Sequence, residues 1–216
     1  MPLVTSRRSP LVRPPNASPD KRDAILRAAT QVFARNGFFQ SQVADVARAA
    51  GVAAGTVYLY FRNKDDLLVS LFERTMREAI AEGRAALDGV DDSRARLTRI
   101  ARLHLERLGR DRDLAVVFQV ELRQSTKFME RFSSTYLRDY LGLIRETIAD
   151  GQATGAFRRD VNPTIAAKVF FGALDEMATN WVLSRRRYSL IAEAEAVVDL
   201  FVGGVGTPTT RARGPQ

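Results

Sequence analysis

Apolar residues recur along this chain at spacings of three and four, and no stretch of useful length alternates with period two, so the backbone is expected to be all-helical. Each helix must then bury its stripe against another helix, which calls for a bundle. The stops fit that reading. Ser18-Pro19-Asp20 supplies an N-cap, a first-turn proline and a first-turn acid, and helix one is expected to run to about Asn36. Gly37 follows where a left-handed C-terminal residue is wanted. A second helix is expected over 43–50, with Gly51-Val52 and then a short segment from Ala53 to Phe61. Asn63-Lys64-Asp65-Asp66 opens a long helix that keeps one inward stripe as far as Leu87. Further helices are expected over 93–109, 111–125, 128–154, 163–186 and 189–204.

The chemistry available is narrow. There is no Cys in the 216 residues and a single His, His104, so disulfides, a thiol nucleophile and a Cys-ligated zinc site are excluded. His104 is expected on a helix face without a ligand role. No glycine-rich phosphate loop occurs, and carboxylate pairs such as Asp175-Glu176 are too common in helices to mark catalysis, so the chain is not expected to be an enzyme. No run is long and apolar enough to span a membrane, and a cytoplasmic location is expected.

Charge points to a partner. The net charge is +8, and residues 1–67 hold 10 Lys+Arg against 5 Asp+Glu, which makes the first third the polyanion-facing part. Residues 1–17 read as a basic arm, with Arg7, Arg8 and Arg13 able to enter a minor groove. A helix, a glycine turn and a short helix form the layout that lays one helix in a DNA major groove while its partner braces it. Ser41, Gln42, Val43, Ala54, Gly55, Thr56, Tyr58, Tyr60 and Lys64 are the candidate DNA contacts, mainly to phosphates. Phe61 is expected in the core, whereas Tyr58 and Tyr60 stay open between core and DNA.

The head resembles the TetR-type bacterial transcriptional regulators over about Lys21 to Leu68, through Val43-Ala44-Asp45-Val46-Ala47, Ala50-Gly51-Val52, Gly55-Thr56-Val57-Tyr58-Leu59-Tyr60-Phe61 and Lys64-Asp65-Asp66-Leu67-Leu68. The pattern departs at Ser41-Gln42, where the family usually has Thr-Thr, and at Ala53-Ala54, where it usually has Ser-Lys. The resemblance implies an all-helical homodimer that binds a palindromic double-stranded operator through N-terminal helix-turn-helix heads. Each head would be joined by a long helix to a ligand-binding and dimerisation domain. The implied division is an arm over 1–17, a DNA-binding head over 18–66, a body over 67–204 and a loose tail over 205–216. The last two long helices would form the dimer interface, with Ile165, Val169, Ala173 and Leu174 on one and Leu190, Ala194, Val197, Val198 and Phe201 on the other.

Residues 114–125 and 171–190 further resemble the acyl-CoA-responsive repressors of fatty-acid degradation, the FadR group within that type. No cofactor is implied, and the effector would be a long-chain acyl-CoA, with another lipid or a hydrophobic drug as the alternative. Such a sensor needs an apolar tunnel and cations at its mouth. Phe118, Leu122, Phe132, Leu137, Tyr140, Leu141, Ile144, Phe170, Phe171, Leu174, Met177 and Trp181 are the candidate lining, and Arg99, Arg102, Arg123 or Arg138 the candidate phosphate contacts. The long helix from Lys64 to Leu87 would be the one element touching both sites.

Overall fold

A computed structural model describes residues 18–132, 136–186 and 188–206. The expected basic arm lies outside the described residues. Every regular element in the described residues is helical, with one isolated bridge between Phe157 and Gly206. In chain order the helices are α1 (Pro19–Asn36), α2 (Val43–Ala49), α3 (Ala54–Tyr58), α4 (Lys64–Leu87), α5 (Ser93–Arg110), α6 (Arg112–Val116), α7 (Thr126–Phe132), α8 (Arg138–Ala153), α9 (Pro163–Leu183) and α10 (Ala194–Val205).

Side-chain caps fix most of the starts. Ser18 Oγ accepts from Asp20 N, Asn63 Oδ1 from Asp66 N, Asp92 Oδ2 from Ala95 N, and Asn162 Oδ1 from both Thr164 N and Ile165 N. Gly37 and Gly51 both have positive φ, at 77° and 66°, which turns the chain between α1 and α2 and between α2 and α3.

Four stretches differ from the sequence expectation. The helix expected over 111–125 is α6, then a π turn over Val117–Glu121 and a 3₁₀ turn over Leu122–Gln124. A π turn carries an extra residue, which shifts the side-chain register and lets both Gln119 and Glu121 point inward. The helix expected over 128–154 begins at Thr126 and is split into α7 and α8, with Tyr136 and Leu137 in a further π turn. α9 stops at Leu183, where Arg112 Nη2 caps its end by donating to Val182 O at 2.7 Å and its guanidinium lies over the Trp181 ring. The expected helix over 189–204 is a 3₁₀ turn (Leu190–Glu193) followed by α10, which ends at Val205, the first residue of the expected loose tail, where Arg158 N donates to Val205 O at 2.8 Å.

Two apolar clusters hold the described residues together. The larger lies among α4, α5, α8, α9 and α10 and includes Ile144, Phe170, Leu174 and Trp181. The smaller contains Ile25, Leu26, Phe33, Val46, Val57, Phe61 and Leu68 from the head, but also Leu114, Val117, Leu122 and Phe128. A head cut off at residue 66 would therefore expose part of its own core, since roughly 25 cal/mol of stabilisation attends each Å² of apolar surface buried. Among the described residues no helix is long and apolar enough to cross a membrane.

Candidate functional site

α3 presents its start and one side outward. Ala54 and Gly55 are exposed and Tyr58 is 55% exposed, while Val57 on the opposite side is fully buried. Among the described residues nothing lies within 4 Å of where a Cβ on Gly55 would be, so their packing does not demand glycine there. Gln42 is exposed at the start of α2, its backbone N–H held by Asp45 Oδ2 at 3.0 Å. Thr56 is half-buried beside this surface.

Four candidate DNA contacts have internal duties instead. Ser41 is 2% exposed, and its hydroxyl donates to Gly37 O at 2.6 Å, so the side chain closes the turn after α1. Val43 packs partly buried on the head cluster. Tyr60 also packs there, and its phenol oxygen accepts from Ser18 N at 3.0 Å. The Lys64 ammonium donates to Phe38 O, Phe39 O and Ser41 O at 2.7, 3.1 and 2.9 Å and sits over the Phe38 ring. With three protons on three carbonyls it braces the α1–α2 turn; it is not a free cation turned outward.

In the body, a cavity of about 230 Å³ lies between α4, α5, the 117–124 segment, α8 and α9. Met76, Ile100, Leu103, Phe118, Leu122, Leu137, Tyr140, Leu143 and Phe171 make most of its wall apolar, and Glu82, His104, Arg107, Gln119, Arg123 and Asp175 add polar groups. Of the proposed lining, Phe118, Leu122, Arg123, Tyr140, Leu137 and Phe171 are there. Ile144, Phe170, Leu174 and Trp181 are not: they are buried among the other helices and build the core around the cavity. Met177 and Leu141 pack half-buried on the same core, and the Phe132 side chain lies outside the described ones.

The cations are likewise redistributed. Arg99 is exposed and donates to Ala86 O at 2.7 Å, Arg102 pairs with Glu195 at 3.2 Å, and Arg138 with Asp139 at 3.4 Å, and none of the three lines the cavity. Arg123 does line it, but its guanidinium is already paired with Asp175 and donates to Gln119 Oε1 at 2.9 Å. Arg107, which sequence reasoning missed, lies in the wall and pairs with Glu78 and Glu82. His104 faces the cavity side of α5, its Nδ1 3.2 Å from Tyr140 Oη. Burial pushes its pKa down to about 4; Asp175 opposes the shift and Arg107 adds to it. The Tyr140 phenol is pushed upward, chiefly by burial, and stays protonated. Among the described residues no group of three or more His, Asp or Glu is placed to hold a metal ion.

Besides Leu122, which lines the cavity and packs in the head cluster, two contacts tie cavity to head. α4 runs from the head into the cavity wall, and Phe72 on it stacks edge-on against Phe118 with ring centres 4.7 Å apart. The second link is one that sequence reasoning missed. Glu121, 6% exposed, accepts from Phe38 N at 2.6 Å, and it follows the cavity residues Phe118 and Gln119 within the same π turn. α4 is therefore not the only link between cavity and head.

Known proteins share this layout. Residues 25–71 match the model of bacterial regulatory proteins of the tetR family, and residues 72–204 match the model of the YsiA-like protein C-terminal region. The chain is similar to the fatty acid metabolism regulator protein of Bacillus subtilis (strain 168), 35% identical over 181 residues, which cover 84% of this chain and 93% of that protein. Among solved structures it resembles the fatty acid degradation regulator FadR from Bacillus halodurans, with a TM-score of 0.83 and 39% identity over 87% of this chain and 97% of that one. It also resembles the transcriptional regulator FadR from Bacillus subtilis in complex with stearoyl-CoA, with a TM-score of 0.81 and 35% identity over 85% and 98% of the two chains.

Proposed function

Because the chain belongs to the TetR family of bacterial regulatory proteins, we propose that it is a homodimeric repressor of fatty-acid degradation genes that a long-chain acyl-CoA releases from a palindromic operator. Family membership makes it a transcriptional regulator and not an enzyme. The observation that carries the ligand reading is the position of the cavity: its apolar wall includes the 117–124 segment, and that same segment reaches the head through Glu121. An acyl chain supplies about 0.8 kcal/mol per buried methylene, so a chain long enough to fill the cavity has the energy to rearrange that segment. The relative solved with stearoyl-CoA lends support at the level of ligand class.

In this reading the exposed start of α3, with Ala54, Gly55 and Tyr58, enters the major groove, and Gln42 meets the backbone beside it. The two-fold partner docks on the outer face of α9 and α10. There Ile165, Val169 and Leu200 are 61%, 58% and 80% exposed, and Gly172, Gly203 and Gly204 have open space where a Cβ would be. Leu174, Leu190, Ala194, Val197, Val198 and Phe201, first assigned to that interface, pack within the subunit instead.

Mass spectrometry of small molecules released on denaturing the purified protein tests the ligand. Acyl-CoA of 14 to 18 carbons, in the range that about ten or more buried methylenes would hold at low micromolar affinity, is the expected finding. A cationic drug-like compound or another lipid in its place would overturn the acyl-CoA assignment and leave the repressor.

A further inference from the structure

His104 is the single histidine of the chain, and its place in the cavity wall leaves one polar atom unaccounted for. Its ring is packed by aromatic neighbours, with centres 5.8 Å from those of both Tyr140 and Phe171. Nδ1 meets Tyr140 Oη at 3.2 Å. Nε2 is sealed from solvent and has no hydrogen-bond partner among the described residues. An unpaired buried polar group costs about 1–3 kcal/mol, so its presence in a cavity wall calls for a reason.

Hydrogen-bond satisfaction identifies which form is present. If Nδ1–H donated to the phenol oxygen, the phenolic proton and the Nε2 lone pair would both be unpaired. If the phenol donates to Nδ1, only one buried group is unpaired, the proton on Nε2. The second arrangement leaves less unsatisfied, and burial keeps the ring neutral at pH 7, so His104 holds out a single N–H donor. Neither Asp175 nor Arg107, the charged groups that act on the ring, forms a hydrogen bond to it.

We propose that His104 is a carbonyl-recognition residue of the effector site, its Nε2–H donating to an oxo oxygen of the bound ligand. The oxygen is that of a thioester or of a carbonyl farther along the chain. This rests on the acyl-CoA reading for the identity of the ligand. The donor is covered in the cavity wall, so a chain reaches it by parting the side chains that bury it. An alkane of the same length would fill the cavity and leave the donor unpaired, and a site built this way rejects the analogue that lacks the acceptor.

The test compares palmitoyl-CoA with S-hexadecyl-CoA, the thioether that lacks the carbonyl oxygen, by calorimetry on the 216-residue chain. A 2-oxoalkyl thioether of CoA carries a carbonyl only on the chain and separates the two sources. The unmodified protein is expected to bind the thioester or the oxo compound about 10-fold or more tighter than the plain thioether, and His104→Phe to bring the difference within about 2-fold. Equal binding by the unmodified protein, or a full preference kept by His104→Phe, overturns the proposal.

Two further readouts keep the question decidable. Displacement of 1-anilinonaphthalene-8-sulfonate by 2-tridecanone against tridecane reads the donor without coenzyme. If no CoA compound binds but the ketone is preferred, the acyl-CoA reading fails and the His104 assignment stands; if the ketone has no advantage either, the assignment fails too. Because His104 is the only histidine, its ring ¹⁵N signals need no assignment, and should His104→Phe not fold they decide the matter. Nε2 is expected to stay protonated and to shift with the thioester or the 2-oxoalkyl thioether but not with the plain thioether, and identical spectra in all three complexes overturn the proposal.

Discussion

Glu121→Ala is the substitution that most directly separates the cavity from the head. The carboxylate accepts from Phe38 N at 2.6 Å across 83 residues of sequence, in a position 6% exposed. Removing it leaves the Phe38 N–H buried without a partner, at a cost of roughly 1–3 kcal/mol. Glu121→Gln keeps an acceptor at the same reach and loses only the charge. The difference between a charge-assisted bond, about 1.5–3 kcal/mol, and a neutral one, about 0.5–1.5, puts its cost near 1 kcal/mol. Denaturant unfolding reads both values. The coupling between effector and operator is typically about 1–3 kcal/mol, and the Glu121 bond is of the same size, so it is large enough to carry much of it. Fluorescence anisotropy on an operator selected from random duplexes, at fixed salt, without and with saturating palmitoyl-CoA, gives the coupling as a ratio of affinities. That ratio is expected to fall by about 5-fold or more in Glu121→Ala and by less in Glu121→Gln. A stability loss of the expected size with an unchanged ratio would refute the argument and return the coupling to α4 alone.

Other substitutions report on the separate surfaces. Gly55→Ala meets open space on a helix, so stability should hold or rise by up to about 1 kcal/mol in thermal unfolding while operator affinity falls, and unchanged affinity would show that DNA does not approach that backbone closely. Leu200→Glu, at a position 80% exposed, should change stability of the folded subunit by less than about 0.5 kcal/mol yet give a monomer in sedimentation at micromolar concentration. A dimer that persists would move the interface elsewhere. His104 is neutral in both folded and unfolded states well above pH 6.5, so it has no effect there. As pH falls towards 4 the unfolded chain takes up the proton first and stability drops by up to roughly 3 kcal/mol. His104→Phe should lose that part of the acid sensitivity, and an unaltered pH profile between 6.5 and 4 would contradict the burial-driven shift.

What could be read from the sequence was local. Ser18, Gly37 and Asn63 sit beside the backbone groups they satisfy, so the limits of α1 and the start of α4 follow from neighbours in the chain. The exposed start of α3 was legible because Gly51 fixes the turn before it. Residue type misled where long-range packing decides. Ser41 and Lys64 carry the groups a phosphate would want, but carbonyls of the α1–α2 turn lie nearer and take them. Arg123 stands two residues from Glu121, yet the π turn sends one towards Asp175 and the other towards Phe38. The apolar residues Ile144, Phe170 and Leu174 have the same character as Phe118 and Leu143, and only helix rotation separates core from cavity wall. The π turn itself leaves no mark in a pattern of spacing three and four.

The most direct test of the repressor reading is a titration of acyl-CoAs of increasing chain length into the protein–operator complex, followed by anisotropy at constant ionic strength. Operator affinity is expected to fall roughly 5- to 150-fold at saturation, with the concentration needed decreasing as methylenes are added until the cavity is full, and free CoA having little effect. Operator affinity that is unchanged by every acyl-CoA, or lowered as much by free CoA, would contradict it.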